Sequence, residues 1–188
     1  NKAGAYFTGG EPAVDYTIEK TASYETVERL KEKARNCDFV IGLGGGTAID
    51  IAKYLACTLE KPWIAAPTVL SHDGTLSSRA SLQKNNMKIS VDASEPVAVI
   101  ADFNIIRDAP YRYVAAGAGD LVSNVSAVED WKRAKAARKE EYHALIAGFA
   151  LNAADAVIYH ADEIREKTYH GIEVLFWSLL SSSFAMNI

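Results

Sequence analysis

The sequence is short of cysteine, of excess positive charge and of long apolar runs, and each shortage excludes a class of function. Its 188 residues hold two cysteines, Cys37 and Cys57, with no CxxC pair and no Cys/His cluster. Neither a disulfide framework nor a structural zinc motif is therefore expected. Both cysteines stand in or beside apolar segments and read as small buried hydrophobes. The formal net charge is −4, which gives no general attraction to nucleic acid or to an anionic lipid surface. The most apolar stretch, residues 144–158, carries Asn152 and Asp155 and is too short to span a bilayer. The first residues, Asn1-Lys-Ala-Gly-Ala-Tyr, lack the charged and apolar regions of a signal peptide, so a cytoplasmic location is the default expectation. No internal repeat and no low-complexity segment stands out beyond Ser181-Ser-Ser, which is too short to interpret.

What is present is ordinary globular material, 49% apolar and 23% charged. Its texture changes near Arg107. Residues 1–107 alternate β-rich runs, turns and helical patterns, as in an α/β layer fold with a mainly parallel sheet. Residues 108–188 read as helix after helix, the start of an all-helical domain. Thr17–Lys20 is a weak strand candidate. Ser23 is a good N-cap for a helix whose Val27, Leu30 and Ala34 would face the sheet. Asp38–Leu43 reads as a short buried strand, Thr47–Leu59 as a helix, and Pro62–Pro67 and Val97–Asp102 as two more strands. Asp108-Ala-Pro signals a helix start. Gly117 and Gly119 interrupt the pattern, and Asp120 then begins a helix towards Lys135. Glu140–Ile164 and Gly171–Ile188 are expected as long apolar helices. The chain opens without an obvious first β–α unit and stops inside an apolar helix, as a piece of something longer would.

Three features carry chemistry. The run Asp38-Phe-Val-Ile-Gly-Leu-Gly-Gly-Gly-Thr-Ala-Ile-Asp-Ile-Ala-Lys sets a triple glycine between a strand and a helix, where free amides at a helix N-terminus suit a pyrophosphate. A tight βα turn without a ligand would also use glycine. The spacing is neither GxGxxG nor the P-loop pattern, which disfavours a kinase or P-loop ATPase. Asp50, one turn into the helix, is open between a functional residue and a merely capping or solvated one. The second feature is Ala66-Pro-Thr-Val-Leu-Ser-His-Asp-Gly-Thr-Leu-Ser-Ser-Arg, dense in short polar groups. Thr68, Ser71 and Ser77 can donate to phosphate or ribose oxygens, Asp73 can accept from substrate hydroxyls, and Arg79 can face an anion. It lies after a strand, like the glycine turn, so both loops belong to one edge of the sheet. Third, Asp120 at its expected helix start is either an N-cap or an oxygen ligand to a divalent metal. The histidines His72, His143, His160 and His170 match no metal-ligand spacing, and the last three read as helix-surface or apolar-pattern residues.

In this order, Gly44-Gly-Gly-Thr-Ala-Ile-Asp-Ile-Ala-Lys, Ala66-Pro-Thr-Val-Leu-Ser-His-Asp-Gly, Ser77-Ser-Arg-Ala-Ser, Gly117-Ala-Gly-Asp-Leu-Val-Ser-Asn and Val125-Ser-Ala-Val-Glu-Asp-Trp resemble the sn-glycerol-1-phosphate dehydrogenases. These belong to a superfamily with iron-containing alcohol dehydrogenases, glycerol dehydrogenases and dehydroquinate synthases. The resemblance implies an α/β Rossmann-like nucleotide-binding domain at 1–107 and the start of an all-helical metal domain at 108–188, with the active site between them. It implies that Gly44, Gly45, Gly46, Thr47 and Ala48 contact the NAD(P) pyrophosphate, with Thr68, Ser71 and Ser77 also on the cofactor. Asp73 would bind substrate, and Asp120 would bind substrate and a metal, usually zinc. The remaining metal ligands would be histidines beyond Ile188, so these residues alone would be inactive. The implied reaction is the NAD(P)H-dependent reduction of a phosphorylated small molecule, dihydroxyacetone phosphate, to sn-glycerol 1-phosphate for ether lipids. Glycerol dehydrogenase or another metal-dependent polyol or alcohol dehydrogenase is the alternative within the superfamily. A non-catalytic nucleotide-binding relative is the alternative outside enzymes. A homo-oligomer and the choice of NADH or NADPH stay open.

Overall fold

The computed structural model describes residues 15–85, 87–185 and 187. The opening segment read for a signal peptide and the last residue of the final expected helix lie outside them. In chain order the elements are α1 (Tyr24–Ala34), β1 (Val40–Gly44), α2 (Gly46–Thr58), β2 (Trp63–Pro67), β3 (Arg79–Lys84), β4 (Met87–Asp92), β5 (Ala98–Val99), α3 (Phe103–Asp108), α4 (Tyr111–Ala136), α5 (Ala144–Tyr159), α6 (Ala161–Arg165) and α7 (Tyr169–Ala185). Strands β1, β2 and β5 form a parallel sheet in that order, while β3 and β4 form an antiparallel hairpin. The α/β class with a helical C-terminal part agrees with the sequence.

Local chemistry explains most element ends. Ser23 caps α1 by accepting from the Thr26 amide. The apolar stripe of α1, Val27 and Leu30, packs on Ile51 and Leu55 of α2 and not on the sheet face, with Val40 at its margin. Trp63 is fully buried, and its indole donates to the Ser94 carbonyl at 3.0 Å. Burial of a side chain of this kind contributes about 1.5–3 kcal/mol. A second cluster joins Ile49, Ala52 and Ala56 of α2 to Trp63 and Ala65 of β2. The largest cluster lies among the helices, around Ile106, Leu121, Val157, Ile172, Leu175 and Leu179, and includes Leu70 from the loop after β2.

Several sequence expectations are corrected. Thr17–Lys20 forms no strand: Ile18 is 82% exposed, and Glu19 is engaged by Thr17 and Arg29. No strand among the described residues pairs with it, so Ile18 gains no burial. Strand β1 is only half-buried, with Ile41 and Leu43 exposed on one face. The third strand shrinks to Ala98–Val99, although the Val97 and Ile100 amides still bond to Trp63 and Ala65 carbonyls. Asp102 instead caps the unexpected helix α3, accepting from the Asn104 and Ile105 amides. The expected helix over 140–164 is α5 and α6, broken at His160, whose backbone leaves the helical region. Residues 138–142 stay outside it because Arg138, at φ 55°, ends α4 in the left-handed conformation.

The correction that matters most for function is α4. It runs unbroken from Tyr111 to Ala136, so Gly117 and Gly119 are interior and Asp120 starts nothing. Gly117 is there for space: a Cβ would lie 2.4 Å from the Leu70 carbonyl oxygen, whereas at Gly119 nothing lies within 4 Å. Gly117→Ala should therefore destabilise the protein by about 1–3 kcal/mol. Gly119→Ala should stabilise it by about 0.5–1 kcal/mol through helix propensity. Urea denaturation of the two variants checks the pair, and equal effects would contradict the packing described.

Candidate active site

The carboxyl ends of β1 and β2 are register partners, Gly44 opposite Pro67, so the loops that follow them emerge side by side. This is where ligands bind in open α/β sheets. The Thr68 amide donates to the Gly44 carbonyl at 3.0 Å and ties the two loops at their roots. Gly44 adopts φ 148°, a conformation costly for other residues. Gly45 caps α2 with no side-chain bond to the first-turn amides, which leaves the helix N-terminus without the anionic or hydroxyl cap common at such ends. Thr47 and Ala48 occupy the first turn. The His72 ring lies over this turn: a Cβ on Gly46 would come 2.4 Å from Nε2. Nδ1 of His72 accepts from the Gly74 amide at 2.9 Å, so the neutral ring carries its proton on Nε2.

The second loop is held from three sides. From α2, the fully buried Lys53 donates to the Gly74 carbonyl at 2.5 Å, the Arg79 carbonyl at 2.8 Å and the Ser77 hydroxyl at 3.3 Å. From α4, an Asp120 carboxylate oxygen accepts from the Asp73 amide at 2.9 Å. From α7, Ser183 accepts from the Leu76 amide and Ser182 donates to the Asp73 carboxylate at 2.7 Å. Beyond that helix, Asn187 accepts from the Ser78 amide and donates to the Leu76 carbonyl. Asn124 of α4 completes the chain by donating to Ser182 at 2.9 Å.

This geometry sorts the candidates. Gly44 to Ala48, Thr68, Ser71 and Asp73 gather at the carboxyl end of the parallel sheet, where Asp120 reaches them from the interior of α4. Ser77 is there too, but its hydroxyl is buried and already used by Lys53 and by the Arg79 carbonyl. Arg79 is turned away: it pairs with Asp92 at 2.5 Å and with Ser90 on the exposed face of the hairpin. Asp50 accepts from the Ser81 amide and is neither a cap nor fully solvated. Lys53 escaped the sequence reading, although it shares the buried stripe of Ile49, Ala52 and Ala56. The serines of α7 escaped likewise, although Ser182 and Ser183 continue the stripe of Ile172, Leu175, Phe176 and Leu179.

Burial dominates the electrostatics. It pushes the Asp73 carboxyl above the usual range; the Ser182 hydrogen bond opposes this and the neighbouring Asp120 charge adds to it. Burial likewise raises Asp50 and lowers Lys53 to about 8. Asp73 and Asp120 thus bring two carboxylates together in a partly dehydrated place, a local surplus of negative charge that suits a cation. Asp120 fits a divalent metal as one oxygen ligand; a catalytic metal needs about three from the protein.

Residues 8–110 match the iron-containing alcohol dehydrogenase family. The glycerol-1-phosphate dehydrogenase [NAD(P)+] of Thermococcus sibiricus is 44% identical over 171 residues, 90% of this chain and 49% of that enzyme. Its namesake from Thermoplasma volcanium is 42% identical over 169 residues, 89% of this chain and 48% of that enzyme. The chain thus spans about half the length of the curated relatives it matches. Among solved structures, a probable glycerol dehydrogenase from Sinorhizobium meliloti superposes with a TM-score of 0.78 at 21% identity, covering 90% of this chain and 52% of that one. An iron-containing alcohol dehydrogenase from Thermotoga maritima gives 0.72 at 20%, covering 90% and 51%. At such identities the likeness concerns the fold.

Replacing the buried ammonium tests the wall directly. Lys53→Met leaves three acceptors without their donor and should destabilise by about 1–3 kcal/mol at neutral pH. Because the folded-state pKa is below the unfolded one, wild-type stability gains as pH rises from about 8 to the unfolded value of 10.5. The stability gap to Lys53→Met should widen there by up to about 1.4 kcal/mol per pH unit. Denaturation curves at successive pH values measure it, and a constant gap would contradict the burial of the charge.

Proposed function

The chain belongs to the iron-containing alcohol dehydrogenase family, and from this premise we propose that it forms the nucleotide wall and part of the metal wall of an NAD(P)-dependent glycerol-1-phosphate dehydrogenase. The reaction is the reduction of dihydroxyacetone phosphate to sn-glycerol 1-phosphate, a precursor for ether lipids. The observation that carries it is the position of Asp120, inside an unbroken helix with its carboxylate on the Asp73 amide, facing the loop beside the glycine turn. An aspartate that caps nothing and sits beside a second carboxylate is arranged for a cation and a polar substrate. The 40–44% identity to enzymes named glycerol-1-phosphate dehydrogenase supports the substrate.

In this reading the nucleotide supplies the hydride, and a zinc ion held partly by Asp120 supplies Lewis acidity at the substrate carbonyl. The chain's own residues do the rest. The uncapped amides of Gly46, Thr47 and Ala48, with the α2 dipole behind them, hold the pyrophosphate. Gly44 and Gly45 let it approach the backbone, and the Nε2 proton of His72 points to the same turn. Thr68 and Ser71 contact the cofactor, with Ser77 contributing through the loop it anchors. The Asp73 carboxylate, oriented by Ser182, accepts from a substrate hydroxyl. We propose the division into a nucleotide domain at 1–107 and a helical domain from 108. The remaining metal ligands lie in the half of the relatives' length that this chain does not span, and residues 1–188 alone are inactive.

One observation favours a second reading. Arg79, the obvious cation for a substrate phosphate, is committed to Asp92, which leaves a glycerol dehydrogenase acting on an unphosphorylated polyol as the rival. NAD(P)H oxidation by the full-length protein separates them: dihydroxyacetone phosphate should be turned over with a kcat/KM at least about tenfold above that of dihydroxyacetone, a preference of about 1.4 kcal/mol. Equal values favour the rival. Gly45→Val puts a branched side chain against Val69, to which even a Cβ would be 3.2 Å. It should raise the nucleotide KM by about tenfold or more, and an unchanged value would make the turn a structural device only.

A further inference from the structure

At the other end of α7 from Ser182, about 18 Å away along the helix axis, three side chains converge that the proposed reaction does not use. His160 stands at the break between α5 and α6, Glu163 on α6, and His170 in the first turn of α7. One ring nitrogen of each histidine and one carboxylate oxygen of Glu163 all lie within 4.8 Å of one another. The two imidazoles meet edge to face at 5.1 Å. We propose that His160, Glu163 and His170 form a divalent-cation site, best suited to zinc, distinct from the cleft around Asp120.

The donor set is chemically apt. Two imidazoles and one carboxylate are ligands typical of zinc, and a site with three protein ligands leaves a position for water. Tetrahedral zinc with bonds of about 2.0–2.1 Å separates its ligand atoms by about 3.3 Å. The pair His160 Nδ1 and Glu163 Oε1, at 3.1 Å, already fits that separation. His170, whose side chain is 58% exposed, is the arm that closes onto the other two. Glu173, 3.8 Å from His170 Nδ1, is placed to accept from that nitrogen once Nε2 turns to the metal, the carboxylate support that zinc-bound histidines commonly have.

The backbone beneath the site is fixed. A Cβ on Gly171 would lie 2.4 Å from the carbonyl carbon and oxygen of Glu163, so the start of α7 is pressed onto α6 at this point. The Thr168 amide donates to the Glu163 carbonyl at 3.0 Å, and the Gly171 amide to the Thr168 hydroxyl at 3.0 Å. Ile164 and Ile172, each one or two residues from a ligand, are buried in the helical core. Basic neighbours are engaged elsewhere: Arg165 pairs with Asp162, and Lys167 donates to the Arg107 and Ala109 carbonyls. The carboxylate of Glu163 therefore faces the histidines, ready for a cation.

Zinc content per chain tests the site, measured by elemental analysis after equilibrium dialysis of the full-length protein against micromolar zinc. The double variant H160Q/H170Q should hold one zinc fewer than its parent, both in the wild-type background and in Asp120→Asn. If the Asp120 assignment fails, the Asp120→Asn protein keeps the wild-type zinc content, and that difference of one stays intact. Glu163→Gln, a near-isosteric change on the surface, should weaken zinc binding at this site at least tenfold with unchanged thermal unfolding in chelator. Equal zinc content in parent and H160Q/H170Q, or wild-type affinity in Glu163→Gln, would overturn the proposal.

Discussion

A charged lysine buried in a wall of apolar packing is the constraint on which the candidate site depends. Lys53 lies on the stripe by which α2 meets the sheet, fully out of solvent, and burial lowers its pKa to about 8. A position of that kind is tolerable only if the ammonium finds acceptors, because an unpaired buried charge costs several kcal/mol or more. The acceptors it finds are carbonyls of Gly74 and Arg79 and the hydroxyl of Ser77. The need of one side chain for partners thus draws the polar loop onto α2, beside the glycine turn.

The other anchors act on the same loop from the helical side. Gly117 lets α4 approach the Leu70 carbonyl, which brings Asp120 to the Asp73 amide. Serines of α7 and Asn187 then bind the stretch from Asp73 to Ser78. A loop fixed from three elements can present Thr68, Ser71, His72 and Asp73 with little reorganisation, which is what placement of a cofactor and substrate demands. Burial first, and then the neighbouring Asp120 charge, raises the pKa of Asp73, so the two carboxylates gathered there carry an energetic cost without a counter-ion. That cost becomes useful when a cation arrives.

Much of this was legible in the residues. The βα turn at Gly44–Gly46, the helix after it, Ser23 as a cap and the shared edge of the two loops all follow from local rules of spacing and conformation. Gly117 and Gly119 point to a helix start at Asp120, because glycines usually break helices; here Gly117 is needed for a contact with Leu70, a residue 47 positions earlier, which no local rule can anticipate. Thr17–Lys20 has no neighbouring strand among the described residues, and strand identity is settled by partners. Lys53 and Ser182–Ser183 interrupt the buried apolar stripes of α2 and α7. A polar residue at a core register position is a signal, since burial obliges it to bind something. The histidines at 160 and 170 are ten residues apart across a helix break, so only the fold brings them together with Glu163.

The proposal turns on a division of labour in which the glycine turn would hold the nucleotide and Asp120 would act on the substrate side. Asp120→Asn in the full-length protein tests it with least disturbance, since the amide oxygen can still accept from the Asp73 amide. The measurement pairs kcat for dihydroxyacetone phosphate reduction with NAD(P)H affinity from nucleotide fluorescence. The account predicts a loss of turnover of at least about a thousandfold, some 4 kcal/mol, with nucleotide affinity within about threefold of wild type, or 0.7 kcal/mol. Retained turnover, or a nucleotide affinity that falls with it, would contradict it.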